Sequence, residues 1–231
     1  MKIIAIIPAR GGSKRIPKKN IKLFLGKEII AYSIEAAIKS NLFDEVMVST
    51  DDPEIKKVAI SYGAKVPFYR SKKNSDDFAN TYDVIEEVLN EYSKRQIIYD
   101  YVCCLYACAP FITSTKLLEG LNVLKSNNFD TVFPAMLFSF PIQRALKINN
   151  NNKVSFINPQ FSLTRSQDLE ESYHDTGQFY WLNTKKLLSN KKLISINSGC
   201  IVVSEIEGQD IDNPSDWKLA ELKYEIIQST K

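Results

Sequence analysis

The first twenty residues place an apolar run directly before a glycine-rich and strongly basic segment. Residues 3–7 read Ile-Ile-Ala-Ile-Ile, which is typical of a strand buried in a parallel sheet, and residues 8–20 follow with Gly11 and Gly12 among several cations. A glycine turn after such a strand can surround a polyphosphate with backbone amides and positive side chains. The sequence therefore predicts an α/β fold with a nucleotide-binding loop after its first strand.

Positive charge is concentrated in this loop. Residues 10–22 hold six cations and no acid, namely Arg10, Lys14, Arg15, Lys18, Lys19 and Lys22. Because the formal net charge of the whole chain is only +3, the remainder is net negative. A focused patch suits a compact anion such as a triphosphate better than the extended groove of a nucleic-acid-binding protein. We therefore expect a nucleotide ligand and no nucleic-acid partner.

Length and composition fit a single domain over residues 1–231, because 44% hydrophobic residues can fill a substantial core. The N-terminal apolar run, about five residues long, is too short for a signal peptide or a membrane span, which predicts a cytoplasmic protein with no membrane partner. The cysteines lack metal-ligand spacing and are predicted to be buried free thiols: Cys103, Cys104, Cys108 and Cys200.

Strand and helix patterns alternate along most of the chain, which predicts a three-layer αβα Rossmann-like fold with a mostly parallel sheet. Predicted strands cover residues 3–7, 46–50, 65–68, 99–107, 131–135 and 201–204. Predicted helices cover residues 29–40, 53–62, 81–94, 114–126 and 214–227. Asp52-Pro53 and Asn213-Pro214 open two of these helices. The alternation breaks between 138 and 182, which we interpret as an insertion that covers the site or forms a dimer interface, or as a loop that decorates the core.

Two common nucleotide motifs do not match the glycine loop. The pattern G-x-x-x-x-G-K-[ST] fails because no second glycine stands before Lys14 or Lys19 in the required frame. The dinucleotide pattern G-x-G-x-x-G is absent as well. ATPase and NAD-binding hypotheses are therefore weakened.

The segment I-P-A-R-G-G-S-K-R-I-P-K-K-N at residues 7–20 closely resembles the signature of the acylneuraminate cytidylyltransferases, which couple CTP to nine-carbon acidic sugars. The resemblance continues in order and spacing at residues 48–52, 70–81, 104–110 and 210–212. It implies a fold of the nucleotide-diphospho-sugar transferase type, CTP and an acidic sugar as substrates, and a homodimer with the insertion as candidate interface.

Residue-by-residue matching of the loop to this family implies contacts with the CTP phosphates and ribose from Arg10, Ser13, Lys14, Lys19 and Asn20. The backbone amides of Gly11 and Gly12 line the turn. Nucleotidyl transfer requires alignment of the attacking and leaving groups and stabilisation of charge on pyrophosphate. Arg10 and Lys19 are the predicted catalytic residues for that stabilisation, followed by Lys14. The other cations of the loop, Arg15, Lys18 and Lys22, are equally compatible with solvated positions.

Residues 70–81 resemble the family segment that recognises cytidine largely through backbone and small polar contacts. The positions in frame with the family pattern are Arg70, Asp77, Ala79 and Thr81. Ser71 and Asn74 replace the usual proline and leucine. The structural alternative is that Asp76 or Asp77 only caps the following helix, and capping is compatible with binding.

Asp210 and Asp212 alternate along an extended pattern, which places two carboxylates on the same side of the backbone. Hard oxygen ligands at this spacing suit Mg²⁺, although D-x-D also occurs as a solvated turn. The resemblance implies that the pair holds a Mg²⁺ cofactor that bridges phosphate oxygens.

The two segments expected near the acceptor sugar, residues 105–110 and 173–181, differ from those of the sialic acid enzymes. Both resemble the branch of the family that activates pseudaminic acid, a nine-carbon diacetamido sugar of bacterial surface glycans. The predicted acceptor is therefore pseudaminic acid. The predicted sugar-binding residues are Tyr106, Arg165, Gln178 and Tyr180, with the guanidinium of Arg165 matched to the sugar carboxylate. His174 is interpreted as a surface or interface residue.

Two alternatives stay open. The same loop and acids would serve a cytidylyltransferase for sialic, legionaminic or 3-deoxy-octulosonic acid. A non-catalytic nucleotide-binding module would keep the loop without turnover, although the intact pair of aspartates argues against it. No suitably paired Ser, Cys or His nucleophile is visible in the sequence, so a covalent enzyme intermediate is not expected.

Overall fold

The computed structural model describes residues 1–76 and 78–230, so the predicted site residue Asp77 lies outside the described residues. The helices are α1 (Ile29–Ser40), α2 (Pro53–Ser61), α3 (Thr81–Ser93), α4 (Ser114–Ser126), α5 (Thr184–Asn190) and α6 (Pro214–Ser229). The strands are β1 (Ile3–Pro8), β2 (Leu23–Phe24), β3 (Lys27–Glu28), β4 (Glu45–Ser49), β5 (Tyr101–Leu105), β6 (Thr131–Leu137), β7 (Leu146–Ile148), β8 (Val154–Phe156), β9 (Tyr173–Asp175), β10 (Phe179–Asn183) and β11 (Ser198–Val202).

The main sheet has the strand order β11-β6-β10-β5-β1-β4, and β9 pairs with β6 beside this path. Strands β4, β1, β5, β6 and β11 run in one direction, whereas β10 and β9 are antiparallel to their neighbours. The predicted α/β class with a mostly parallel sheet is confirmed. Because β1 lies between two parallel neighbours, the basic loop that follows it starts at the carboxyl edge of the sheet, where ligands of open α/β sheets bind.

Side chains of β1 alternate between two hydrophobic layers. Ala5 and Ile7 pack with buried residues of α1, α2 and α4, whereas Ile4 and Ile6 pack with buried residues of α3 and α5. All four side chains are fully buried, and each large one contributes about 1.5–3 kcal/mol relative to exposure. The sheet is therefore covered by helices on both faces, which explains why β1 reads as an uninterrupted apolar run.

Two predicted helix starts are confirmed by their capping contacts. The Asp52 carboxylate accepts the backbone N–H of Glu54 and of Ile55 at the start of α2. The Asn213 side chain accepts two backbone N–H groups at the start of α6, where Asp216 completes a capping box. The caps therefore fix the starts of α2 and α6.

Two predicted boundaries differ from the structure. The expected strand at 65–68 is reduced to a single parallel bridge between Met47 and Lys65, because Pro67 has no N–H to continue a ladder. The expected irregular segment 138–182 contains β9 and β10, and β10 lies between β5 and β6 near the centre of the main sheet. The part outside this sheet is therefore shorter than predicted and includes the β7–β8 hairpin.

The cysteines are free thiols, but their burial differs from the prediction. Cys103 and Cys104 are buried in β5 and Cys108 is half-buried, whereas Cys200 is exposed on the edge strand β11. Cys200 is exposed because successive side chains of a strand point to opposite faces, and the next residue, Ile201, points to the buried face. Within residues 1–76 and 78–230, no helix has the length and apolar character required to cross a membrane.

Candidate active site

An open cleft of about 490 Å³ lies at the carboxyl edge of the sheet. Four stretches supply most of its walls: residues 8–20 after β1, residues 79–84 at the start of α3, residues 106–108 after β5, and residues 210–212. The predicted site residues among the described lining residues are Arg10, Ser13, Lys14, Lys19, Asn20, Arg70, Ala79, Thr81, Tyr106, Asp210 and Asp212. The tertiary structure thus gathers both the basic loop and the acid pair at one cleft.

Hydrogen bonds fold the basic loop so that four of its six cations, Arg10, Lys14, Arg15 and Lys19, line the cleft. Lys18 adopts a left-handed conformation (φ 52°) that starts a single 3₁₀ turn over Lys19–Ile21. The Asn20 side-chain amide donates to the Arg10 carbonyl at 2.9 Å and accepts from the Cys108 thiol at 3.2 Å. These contacts connect the loop to the end of β5 and fix where its side chains project.

Lys19 joins the loop to the acidic segment. Its Nζ donates to the backbone carbonyl of Ile211 at 2.7 Å and lies 3.9 Å from Asp212 Oδ1. Arg15 forms a closer ion pair with the same Asp212 oxygen at 2.7 Å. The positive loop and the negative pair therefore face each other directly across the cleft.

The two loop glycines do not line the cleft among the described residues. The Gly11 N–H donates to Asp51 Oδ1 at 3.0 Å, and a Cβ on Gly11 would approach Asp52 Oδ2 at 2.7 Å. Gly12 is exposed and its Cβ position meets no atom within 4 Å. Gly11 thus lets the loop pass close to the Asp51-Asp52 turn, and its amide is engaged there.

Arg70 lies at the inner wall of the cleft and is only 7% exposed. Its guanidinium donates to the Ser49 hydroxyl at 3.0 Å and to the Ser49 carbonyl at the end of β4. Burial lowers the pKa of Arg70 to about 10, an effect opposed by the negative charges of Asp51 and Glu87. The group stays charged at neutral pH and holds a fixed positive charge behind the site.

The alternative that Asp76 caps helix α3 is wrong. Asn80, not Asp76, is the N-cap of α3, with Asp83 completing its capping box. The Asp76 carboxylate instead accepts the N–H groups of Phe78 and Ala79, and its carbonyl accepts from Arg10 at 2.6 Å. The capped end of α3 presents Asn80 and Thr81 to the cleft.

Asp210 and Asp212 flank the buried Ile211 on an irregular segment after β11. Ile211 inserts into a cluster with Phe24 and Trp217, so the two flanking carboxylates face the cleft. Desolvation by the cleft walls raises the pKa of Asp210, the negative charge of Asp212 raises it further, and Lys19 acts in the opposite direction. The pair is a concentrated negative site beside a positive loop.

The predicted sugar-binding residues occupy different environments. Tyr106 lines the cleft, with its hydroxyl 3.3 Å from Thr81 Oγ1, and burial raises its pKa to about 12. Gln178 is fully buried and donates to the Glu207 carbonyl at 2.7 Å. Tyr180 is also buried, packs on the Tyr106 ring and donates its hydroxyl to Asp175. Tyr106 is thus the member of this group that is open to a ligand.

Arg165 lies away from the cleft. It is exposed and forms a two-contact ion pair with Asp168, at 2.7 and 3.2 Å, within one short turn. His174 also lies outside the described cleft lining and packs on Phe138 at a ring distance of 4.6 Å. The structure therefore does not bring either residue together with the basic loop.

The cleft lining also includes residues that were not predicted as site residues, among them Cys108, Asn80 and Gly177. Cys108 lies within the segment 104–110 and Asn80 within the segment 70–81. Both segments carry the family resemblance, so the sequence contained a signal for these two residues. Gly177 has φ +62°, and its Cβ position would be 3.4 Å from the Asp210 carboxyl carbon. No local pattern predicts that approach, because it joins residues 33 positions apart.

The sequence of this chain is similar to those of known cytidylyltransferases. The sequence profile of the family described as Cytidylyltransferase matches residues 4–203. A pseudaminic acid cytidylyltransferase of Campylobacter jejuni is 43% identical over 98% of this chain and 97% of its own length. The CMP-N,N'-diacetyllegionaminic acid synthase of Legionella pneumophila is 31% identical over 99% of this chain and 98% of its own.

A solved structure of CMP:2-keto-3-deoxy-manno-octonic acid synthetase complexed with CTP has the same fold. It superposes with a TM-score of 0.72 over 99% of this chain and 100% of that chain, at 19% identity. Since the family profile covers most of the chain and both sequence relatives align over nearly its full length, the chain belongs to the cytidylyltransferase family.

Proposed function

We propose that this protein transfers CMP from CTP to the anomeric hydroxyl of pseudaminic acid and releases pyrophosphate. The observation that carries this proposal is the single cleft in which the basic loop faces Asp210 and Asp212, in a chain of the cytidylyltransferase family. In this reaction the sugar oxygen forms a bond to the α-phosphorus, the bond from that phosphorus to the β-phosphate oxygen breaks, and the hydroxyl loses its proton.

The basic loop supplies the electrostatic part of the reaction. Arg10, Lys14 and Lys19 line the cleft, so their charges can stabilise the negative charge that builds on the leaving pyrophosphate. Lys19 is held in place by the Ile211 carbonyl, which fixes its ammonium group before substrate arrives. A charge placed in advance acts without reorganisation during the reaction.

The opposite wall supports recognition of the nucleoside. Ala79 and Thr81 stand at the capped start of α3, with the buried Arg70 behind them. Small side chains at this wall leave backbone groups accessible, in agreement with the type of cytidine recognition expected for the family. The residues that the structure describes here support a base pocket next to the phosphate loop.

Asp210 and Asp212 fit a Mg²⁺ ion chemically. Two neighbouring carboxylates, of which Asp210 has a pKa raised by desolvation and by the charge of Asp212, are suited to a divalent cation. No group of three or more His, Cys, Asp or Glu side chains with metal-site geometry occurs in the described ranges, and Mg²⁺ commonly takes one or two carboxylates plus phosphate oxygens and water. When bound, the ion would neutralise phosphate charge and lower the pKa of the attacking hydroxyl.

The described cleft offers no prepared thiol nucleophile. Burial raises the pKa of Cys108 to about 12, and its S–H donates to Asn20, so it is neutral at physiological pH. This supports direct attack of the sugar hydroxyl on CTP without a covalent enzyme intermediate.

Pseudaminic acid is the acceptor best supported by the comparisons. The relative from Campylobacter jejuni is 43% identical, whereas the legionaminic acid synthase of Legionella pneumophila and the N-acylneuraminate cytidylyltransferase of Escherichia coli are 31% and 30% identical. Tyr106, which lies in the segment 105–110 that departs from the sialic acid enzymes, also lines the cleft. The test is pyrophosphate release from CTP with pseudaminic, legionaminic, sialic and 3-deoxy-octulosonic acids at equal concentration. A higher kcat/KM for any of the last three would overturn this choice of substrate.

We also propose that the chain forms a homodimer through residues 138–172. This region leaves large apolar side chains in solvent, with Phe140 83% and Leu163 95% exposed. Patches of this kind mark interaction surfaces in soluble proteins. Sedimentation equilibrium of the full chain should give a dimer, and Phe140→Asp combined with Leu163→Asp should shift it toward monomer. A wild-type monomer at micromolar concentration would contradict the proposal.

A further inference from the structure

Residues 205–212 carry the acid pair but are not paired as a strand. After β11 the chain forms one 3₁₀ turn over Glu205–Glu207 and then runs irregularly to the start of α6. In a segment without ladder hydrogen bonds, buried carbonyls are satisfied by side chains or by water. The side chains that bond to this segment therefore contribute to its position and to that of Asp210.

Lys223 of α6 makes three contacts with this segment. Its Nζ donates to the Glu205 carbonyl at 2.9 Å, to the Gly208 carbonyl at 3.0 Å and to Gln209 Oε1 at 3.0 Å. An ammonium group has three N–H donors, so all of them are used within five residues of chain. The Lys223 ammonium group therefore binds three oxygens of residues 205–209, which directly precede Asp210.

Other side chains hold the segment from different directions. Gln178 donates to the Glu207 carbonyl at 2.7 Å, and Lys116 of α4 pairs with the Glu207 carboxylate at 2.7 Å. Lys19 donates to the Ile211 carbonyl. Three of these four groups come from the turn before β10, α4 and the basic loop, whereas Lys223 holds the segment from α6. The same helix also binds the segment through the Asp216 carboxylate, which accepts the backbone N–H of Asp212 at 2.9 Å.

We propose that Lys223 is a positioning residue of the transfer reaction, whose ammonium group holds residues 205–209 so that Asp210 and Asp212 face the cleft together as a cation site. This inference rests on the proposed role of that pair in holding Mg²⁺. Two like charges held side by side repel each other, so a segment that carries them moves apart unless it is restrained. Lys223 is not among the described residues that line the cleft, and it acts through the Glu205 and Gly208 carbonyls and the Gln209 side chain.

The test uses the full-length protein and four substitutions. Lys223→Met removes the charge and keeps the stem, Lys223→Arg keeps charge and donors, and Lys218→Met alters an exposed lysine on the same helix as a matched control. Asp212→Asn reports on the cation site itself. Binding of Mn²⁺ alone is measured by water-proton relaxation, together with hydrogen exchange of the amides at 208–213 and the Mg²⁺ concentration for half-maximal pyrophosphate release.

Lys223→Met should raise the Mn²⁺ dissociation constant about 10-fold, as expected for removal of an outer partner of a metal site, and should speed exchange at 208–213. Lys223→Arg should recover most of the affinity, and Lys218→Met should match wild type. If Asp212→Asn weakens Mn²⁺ binding but Lys223→Met does not, the positioning role is wrong and the cation site stands. If wild type and Asp212→Asn bind Mn²⁺ equally, the magnesium assignment fails and this inference fails with it.

Should Lys223→Met not fold, Gln209→Ala removes one of the three acceptors at a partly exposed position. It should weaken Mn²⁺ binding by a smaller factor, about threefold, and speed exchange in the same amides. Unchanged affinity and unchanged exchange in this variant would equally overturn the positioning role.

Discussion

The phosphate side and the sugar side of the cleft are built differently. On the phosphate side the residues come from one short loop, and the side chains predicted there, from Arg10 to Asn20, line the cleft. On the sugar side the predicted residues are spread over 75 positions, and Tyr106 lines the cleft while Arg165 pairs with Asp168 on the surface. A contiguous loop keeps its residues together whatever the rest of the chain does, whereas residues on separate elements meet only if the sheet order brings them together.

The largest expected effect tests the phosphate side. Lys19→Met should lower kcat/KM by about 10²- to 10³-fold, because it removes a pre-positioned cation from the leaving group. The measurement is steady-state pyrophosphate release at saturating sugar. Lys18→Met is the matched control, since Lys18 pairs with Glu54 outside the described cleft lining, and it should change the rate less than threefold. Equal losses in both variants would mean that loop charge, not position, sets the rate.

Replacement of Asp210 in the acid pair should lower activity but raise stability. Asp210→Asn should lower activity by about 10²-fold, as expected for loss of a charged metal ligand. Its raised pKa means that the folded protein holds this proton more tightly than the unfolded chain, so its ionisation lowers stability as pH rises through that window. The metal-free Asp210→Asn variant should therefore melt at a higher temperature than wild type at pH 7. A lower melting temperature would contradict the destabilisation of the Asp210 carboxylate by desolvation and by the charge of Asp212.

Gly177 connects the sugar-side strands to the acid pair. A side chain at φ +62° is strained, and a Cβ there would contact the Asp210 carboxylate. Gly177→Ala should cost about 1–2 kcal/mol of unfolding free energy and also weaken Mg²⁺ activation. Urea unfolding and a Mg²⁺ titration measure the two effects, with Gly12→Ala as control because its Cβ position is open. A stability loss without any change in Mg²⁺ dependence would show that the close approach to Asp210 has no functional consequence.

The smallest effects are expected for Tyr106 and Arg165, which were both predicted to bind the sugar. Tyr106→Phe removes a hydroxyl at the cleft floor and should raise the KM for the sugar about three- to tenfold. Arg165→Ala should change that KM less than twofold if the surface pairing with Asp168 persists with substrate bound. A large KM increase for Arg165→Ala would restore the predicted contact with the sugar carboxylate, and would require the segment around it to move toward the cleft.

The sequence by itself determined the elements whose signals are local. An apolar run that is buried on both faces predicted β1, Asp52-Pro53 and Asn213-Pro214 predicted two helix starts, and the continuous basic loop predicted the anion side of the cleft. Ile211 between two aspartates also carried enough information, because burial of the central residue directs both neighbours outward. Each of these features depends on residues that are close along the chain.

The tertiary structure alone decided what depends on distant residues. Strand β10 takes a central place because it pairs antiparallel with β5 and β6, and this buries Gln178 and Tyr180 beneath the cleft. Lys223 meets Gly208 and Gln209 because α6 packs through Trp217 against Phe24. Such contacts follow from sheet order and helix packing, which depend on burial of apolar side chains throughout the core. The residues that form these contacts therefore show no periodic sequence pattern that would predict them.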